Sequence, residues 1–170
     1  MSLHLKIPDL LPEMRAYATA LTRNSDEAED LSQEAVKRAL TAEKAPTDPE
    51  GLRPWLFRII RNLHIDQLRK DKTRMEYSAA QIRLSEEETE HRETVLDSIL
   101  VKQALIQITD NDREILYLID ILGLRYSEAA RVLDIAEGTV MSRISRARRA
   151  MLARIEGTNI KPFERKRKTV

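Results

Sequence analysis

The chain contains no cysteine, which removes disulfides and thiolate metal sites from consideration. Its three histidines, His4, His64 and His91, lie far apart in sequence, and none stands in a metal-ligand spacing such as HExxH. The four glycines form no phosphate-cradling loop, and their scarcity favours a helix-rich chain over sheets and tight turns. No apolar run approaches the ~20 residues of a membrane helix. The segment Met1 to Leu11 lacks the basic start and long apolar core of a signal peptide, so a cytoplasmic location is expected. Asp26, Glu27, Asp30 and Glu34 imitate a catalytic carboxylate cluster, yet no histidine partner or nucleophile motif accompanies them. No catalytic residue, metal, cofactor or membrane contact is therefore expected.

What the chain does have is apolar content and segregated charge. Hydrophobic residues make up 42%, too many for a disordered chain and enough for packed cores. A length of 170 residues fits one ordinary domain or two small ones. The net charge of +1 hides the distribution. Five acids and no base lie between Asp26 and Glu34, whereas seven bases and two acids lie between Arg53 and Arg74. Five arginines and no acid lie between Arg143 and Arg154, and Lys161 to Lys168 adds five more bases. One acidic and two basic surfaces imply more than one partner.

Apolar residues recur at helical spacing almost throughout, which predicts an all-α fold. Leu10, Leu11, Met14, Ala18 and Leu21 form a first stripe. Asn24 or Ser25 is placed to cap a second helix, whose buried stripe would be Ala28, Leu31, Ala35 and Ala39. Three prolines and a glycine in residues 44–54 predict a loop. A third helix is expected from Trp55 to Arg69, with Leu56, Ile59, Ile60 and Leu63 on one arc. Arg58, Arg61, Asn62, Asp66 and Arg69 share the opposite arc. Ile65 falls on that polar side, to meet either a ligand or the rest of the chain. The pattern fades over 75–94, where five acids lie between Glu86 and Glu93, and resumes from Val95. This predicts two small domains, 1–74 and 95–156, joined by a linker at 75–94 and followed by a basic tail at 157–170.

The stretch Arg125 to Arg149 reads as a helix-turn-helix. Ser127 is placed to cap its first helix, Asp134 stands at the turn, and the second helix starts near Glu137. Leu133, Ile135, Val140 and Ile144 would supply the shared core. Met141, Ser142, Ser145, Arg146 and Arg149 would face outward, suited to a DNA groove. Arg143 and Arg148 would flank that face and hold phosphates.

Four segments together resemble the extracytoplasmic-function (group 4) sigma factors of the sigma-70 family. They are Asp26-Glu-Ala-Glu-Asp-Leu-Ser-Gln-Glu-Ala35, Pro54 to Arg69, Asp112-Arg-Glu-Ile-Leu116, and the Glu137–Arg148 helix. They occur in the family's order and cover most of residues 10–155. The resemblance implies a factor that brings RNA polymerase core to promoter DNA, acts as a monomer, and is held inactive by an anti-sigma protein. It assigns Asp30, Gln33 and Glu34 to polymerase binding. It assigns Arg58, Arg61, Asn62, Asp66 and Arg69 to the −10 element. Thr139, Met141, Ser142 and Arg143, with Ser145, Arg146 and Arg149, fall to the −35 element. The chain departs from the family at Met141, where a cation is frequent, at Asp134, where glycine is usual, and at Thr109, where proline is common. The rival reading is a one-component helix-turn-helix regulator that does not bind polymerase, although a two-fold interface is not apparent and the acidic segment has no role in it.

Overall fold

The computed structural model describes residues 6–46, 48–78 and 96–157, and all regular elements among them are helical. Helix α1 (Ile7–Thr22), α2 (Ser25–Thr41) and α3 (Pro49–Ser78) build the N-terminal half. In the C-terminal half, α4 (Leu96–Gln107) leads into α5 (Asp110–Leu116), which runs directly into a π-helical turn at Tyr117–Ile121. Helices α6 (Tyr126–Leu133) and α7 (Glu137–Gly157) follow.

The local signals explain most helix ends. Asn24 is extended, and its side-chain oxygen accepts from the Asp26 and Glu27 N–H groups at 2.9 and 3.1 Å. Those acids then sit where the helix dipole favours negative charge. An Asn24→Ala chain is expected to lose about 1 kcal/mol. Its melting temperature by circular dichroism should fall by roughly 4–8 °C, and an unchanged melt would show that the cap contributes nothing. Thr109 caps α5 by accepting from Asp112 N–H at 3.2 Å, which accounts for a hydroxyl at this departure from the family pattern.

Helix α3 begins at Pro49, so the expected loop is helical over its last six residues, 49–54. Proline lacks only an N–H that the first turn leaves unpaired anyway. The Asp48 carboxylate accepts from Gly51 N–H and lies so close that a Cβ on Gly51 would sit 2.7 Å from it. A glycine that reads as a loop signal is thus the residue that lets the cap close. At its other end α3 continues beyond Arg69 to Ser78, into the expected linker. The remainder of that linker (79–95) and the tail from residue 158 lie outside the described residues.

The core forms where the apolar stripes meet. Met14 and Ala18 from α1 are buried, with Ala28, Leu31, Ala35 and Ala39 from α2 and Leu56, Ile60 and Leu63 from α3. Ile59 and Trp55 are half-buried against them. Tyr17 and Phe57, on neither predicted stripe, are both fully buried with ring centroids 5.3 Å apart. In the C-terminal half Ile108, Ile115, Leu116 and Leu118 pack with Val132, Leu133, Val140 and Ile144. The Arg113 guanidinium closes the end of α4, donating to the carbonyls of Leu105 at 2.8 Å and Ile108 at 3.1 Å. Burial lowers its pKa from the ordinary arginine value.

The two halves pack on each other. Helix α3 lies along α6, and α1 touches α5. Ile65, the apolar residue on the polar arc, meets the other half. It lines a crevice of about 260 Å³ together with Leu21, His64, Leu68, Asp110 and Glu114. Burial there lowers the pKa of His64 from its ordinary value, outweighing the opposing pull of Glu114, Glu27 and Asp110.

Candidate nucleic-acid interface

The C-terminal surface follows from the turn. Asp134 has φ 56° and ψ 47°, the left-handed conformation that a short polar side chain tolerates. This lets α6 end and α7 cross it. The Ile135 N–H reaches back to the Ala130 carbonyl at 3.2 Å, pairing one of the orphan carbonyls at the end of α6. The start of α6 differs from expectation: Ser127 lies within the helix, and the cap position is Arg125. Glu128, three residues on, accepts from the Arg125 N–H at 2.7 Å, the reach-back half of a capping box, which pairs the cap residue's own donor and not the first-turn N–H that a serine would cap.

On α7, Val140, Ile144 and Ala147 are buried and Met151 half-buried, which turns the other side outward. Met141, Ser142, Ser145, Arg146 and Arg149 are all exposed, while Thr139 and Arg143 are half-buried. Met141 is 54% exposed, a large apolar side chain left in water on the face proposed to read bases. Arg146 and Arg149 touch the α7 backbone only through Nε contacts of 3.4 Å to the carbonyls of Ser142 and Ser145. Arg148 is placed differently. Its guanidinium is held in a two-bond fork by Asp120 of the π-helical turn, at 2.6 and 3.1 Å. The hydrogen bond to Asp120 raises its pKa. The fork ties α7 to the turn before it and engages the guanidinium that was expected to hold phosphate.

The α3 surface is divided. Asn62, Asp66 and Arg69 are exposed, and Asp66 lies 3.7 Å from Arg69. Arg61 is turned to the C-terminal half, where its Nε donates to Glu114 Oε1 at 3.0 Å. The hydroxyl of Tyr17 donates to the same oxygen at 2.7 Å. Burial, reinforced by the Glu114 charge, raises the tyrosine's pKa well above its ordinary value, so it stays a donor. Arg58 lies 3.3 Å from Asp134 at the helix-turn-helix turn. The expected −10 residues thus share one helix but are split between open solvent and the other half.

On α2, Asp30 and Gln33 are exposed and Glu34 is half-buried. Gln33 donates to Glu29 at 2.9 Å, and Glu34 lies 3.4 Å from Lys37 and 3.5 Å from Arg38. Exposed pairs of this kind hold little energy and can exchange partners. Glu114, Tyr17 and Asp120 carried no role in the sequence reading. Glu114 stands inside the Asp112–Leu116 motif, but a glutamate one turn into a helix reads as solvated until its partners are known.

Among the described residues no group of three or more histidines and carboxylates suits a metal ion, and no helix is long and apolar enough to cross a membrane. The chain matches the family described as Sigma-70 region 2 over residues 7–74 and that described as Sigma-70, region 4 over residues 98–151. It is 33% identical over 147 residues to the ECF RNA polymerase sigma factor EcfG of Rhodopseudomonas palustris, covering 84% of this chain and 79% of that one. It is 31% identical to SigM of Mycobacterium tuberculosis over 85% of this chain and 72% of the relative. Among solved structures it resembles the sigma factor RpoE of Bartonella quintana, determined in complex with the anti-sigma factor NepR. That match has a TM-score of 0.77 and 30% identity over 91% of this chain and 97% of the other. CnrH, solved with the cytosolic domain of CnrY, shares the fold at a TM-score of 0.62 and 24% identity, over 91% and 88% of the two chains. These matches span both halves and do not favour the rival reading of a regulator that does not bind polymerase. The chain belongs to the extracytoplasmic-function sigma factors, members of the sigma-70 family that direct RNA polymerase to promoters.

Proposed function

We propose that the chain divides promoter selection among three surfaces. Asp30, Gln33 and Glu34 on α2 bind RNA polymerase core, their acidity suited to a basic partner and to fast encounter. Asn62, Asp66 and Arg69, joined by Arg58 and Arg61, engage the −10 element, with arginines on the backbone and Asn62 on a base edge. Met141, Ser142, Ser145 and Arg146 meet base edges of the −35 duplex, and Thr139, Arg143 and Arg149 border them. The working units are residues 1–74 and 95–156, joined by 75–94, with a basic tail at 157–170. The helices leave residues 79–95 between α3 and α4, a stretch that extends at most ~56–61 Å, more than one duplex turn of ~34–36 Å. The chain does this in the cytoplasm, without catalysis of its own, and is held back by an anti-sigma protein, as NepR partners the Bartonella relative.

The observation that carries this reading is the outward face of α7, fixed by a buried Val140–Ile144–Ala147 underside behind a left-handed Asp134. The test is run-off transcription with purified core polymerase on genomic promoter fragments. Discrete transcripts that depend on the chain are expected, and their upstream sequences would supply both elements. Absence of both transcripts and core binding by pull-down would overturn it.

A further inference from the structure

The outer face of α7 is equipped for hydrogen bonding except at one residue. Ser142, Ser145, Arg146 and Arg149 all carry polar heads and are exposed. The Ser142 hydroxyl donates back to the Thr139 carbonyl at 3.0 Å, so toward a groove it presents an acceptor only. Met141 stands among them, 54% exposed and outside the hydrophobic core. Its thioether donates nothing and accepts only weakly. A base that Met141 tells from another must therefore differ in apolar surface. In the major groove one base offers an apolar group, the C5-methyl of thymine. The placement agrees. Met141 lies one turn from the start of α7 at Glu137, in the part of a second helix that meets base edges in this motif. Helical side chains lean toward the N-terminus, so Met141 lies over the turn that holds Gly138. The space at the Gly138 Cβ position is open, with no atom within 4 Å. Its neighbours along that row, Gly138 and Ser145, are both small, which leaves the longer methionine to project beyond them.

We propose that Met141 is a specificity-determining residue that selects thymine within the −35 element, by packing its thioether arm against the C5-methyl group. The inference rests on the reading of α7 as the −35 surface and deepens it. Arg146 and the serines read hydrogen-bonding edges, and Met141 reads the one apolar mark in the groove. The contact also covers a large side chain that water otherwise surrounds, so it adds affinity as well as preference. Unbranched and flexible, methionine can settle on the methyl of one base pair or across two adjacent ones.

Deoxyuridine keeps every hydrogen bond of thymine and lacks only the methyl, which isolates the contact. Polymerase core loaded with the full chain would bind duplex promoter fragments, chosen from those the chain transcribes. In these, each −35 thymine of either strand is replaced in turn by deoxyuridine. At one thymine, or at two neighbouring ones, affinity is expected to fall about three- to fivefold, the value of one methyl group returned to water. In Met141→Ala the same replacement should cost nothing more, because the two partners of one contact are not additive. Met141→Leu, still apolar, should keep the sensitivity. Met141→Lys should lose it and steepen the salt slope by about 0.9 through one added phosphate contact. Circular dichroism melts verify that these variants, all at an exposed position, remain folded. Insensitivity to deoxyuridine at every −35 position overturns the inference. So does a sensitivity that survives in Met141→Ala, which would give the methyl to another side chain such as Thr139. In both cases an Arg146→Ala chain that loses −35 binding leaves the α7 reading standing. If Arg146→Ala and Met141→Ala both bind every −35 fragment as the unsubstituted chain does, the α7 reading fails and the inference fails with it.

Discussion

Replacing Phe57 with alanine is expected to destabilise the N-terminal half by about 3–5 kcal/mol. The ring is fully buried, tilted at 53° against Tyr17, and the Arg53 guanidinium carbon stands 5.7 Å from its centroid. Truncation leaves a cavity bordered by a tyrosine that cannot follow it, because the Tyr17 hydroxyl is anchored 2.7 Å from Glu114. A domain of this size has only about 5–15 kcal/mol of stability in total, so the loss is a large share of it. The melting temperature should fall by about 12 °C or more, and promoter-dependent transcription at 37 °C should collapse. Phe57→Leu, which keeps most of the volume, should cost far less. Urea unfolding of the three chains is the measurement. A loss below about 1 kcal/mol for Phe57→Ala would show that the site refills, contrary to the packing described.

Phe57 also shows where reading the sequence ran short. Periodicity identified the Leu56, Ile60 and Leu63 arc because a helix against one neighbour buries one stripe. Helix α3 has neighbours on more than one side, α1 and α2 in its own half and α6 in the other. Its buried arc is therefore wider than a stripe, and Phe57 falls on the margin. The same crowding shelters Arg61 on the arc that patterning marks as solvated.

Short-range chemistry was more legible. The Asn24 cap and the Asp134 turn were readable because each depends on one residue's own backbone preference. The start of α3 was misread because Pro49, Gly51 and Pro54 each weaken a helix interior, while Pro49 and Gly51 sit in the first turn, where Asp48 makes a glycine useful. Its extension through Lys70–Arg74 offers no apolar stripe to detect. Glu114 with Tyr17 lies furthest beyond reach, since 97 residues separate the partners and nothing periodic links them. The outer face of α7 was readable because both its inner and outer sets obey a single period.

That face gives the sharpest functional expectation. Arg146→Ala should reduce run-off transcription about 10–100-fold at promoters carrying the natural −35 element, the value of one good base contact at ~1–3 kcal/mol. The loss should shrink when one −35 base pair is changed, because a reader of base edges loses its preference along with its side chain. Arg149→Ala, removing a phosphate neighbour, should weaken all promoters alike and lower the salt slope by about one. Arg148→Ala supplies the contrast. In sequence it is one more arginine on a basic helix, but its guanidinium is already spent on Asp120. Its side chain is 49% exposed, so the pair adds about 0–1 kcal/mol to stability, and its removal should leave the salt slope unchanged. Measured together, the three variants separate a base contact, a phosphate contact and an internal tie on one helix. Should Arg148→Ala prove the most damaging at promoters, the surface facing DNA would have to be rotated by a third of a turn or more, toward the side of α7 that carries the Asp120 fork.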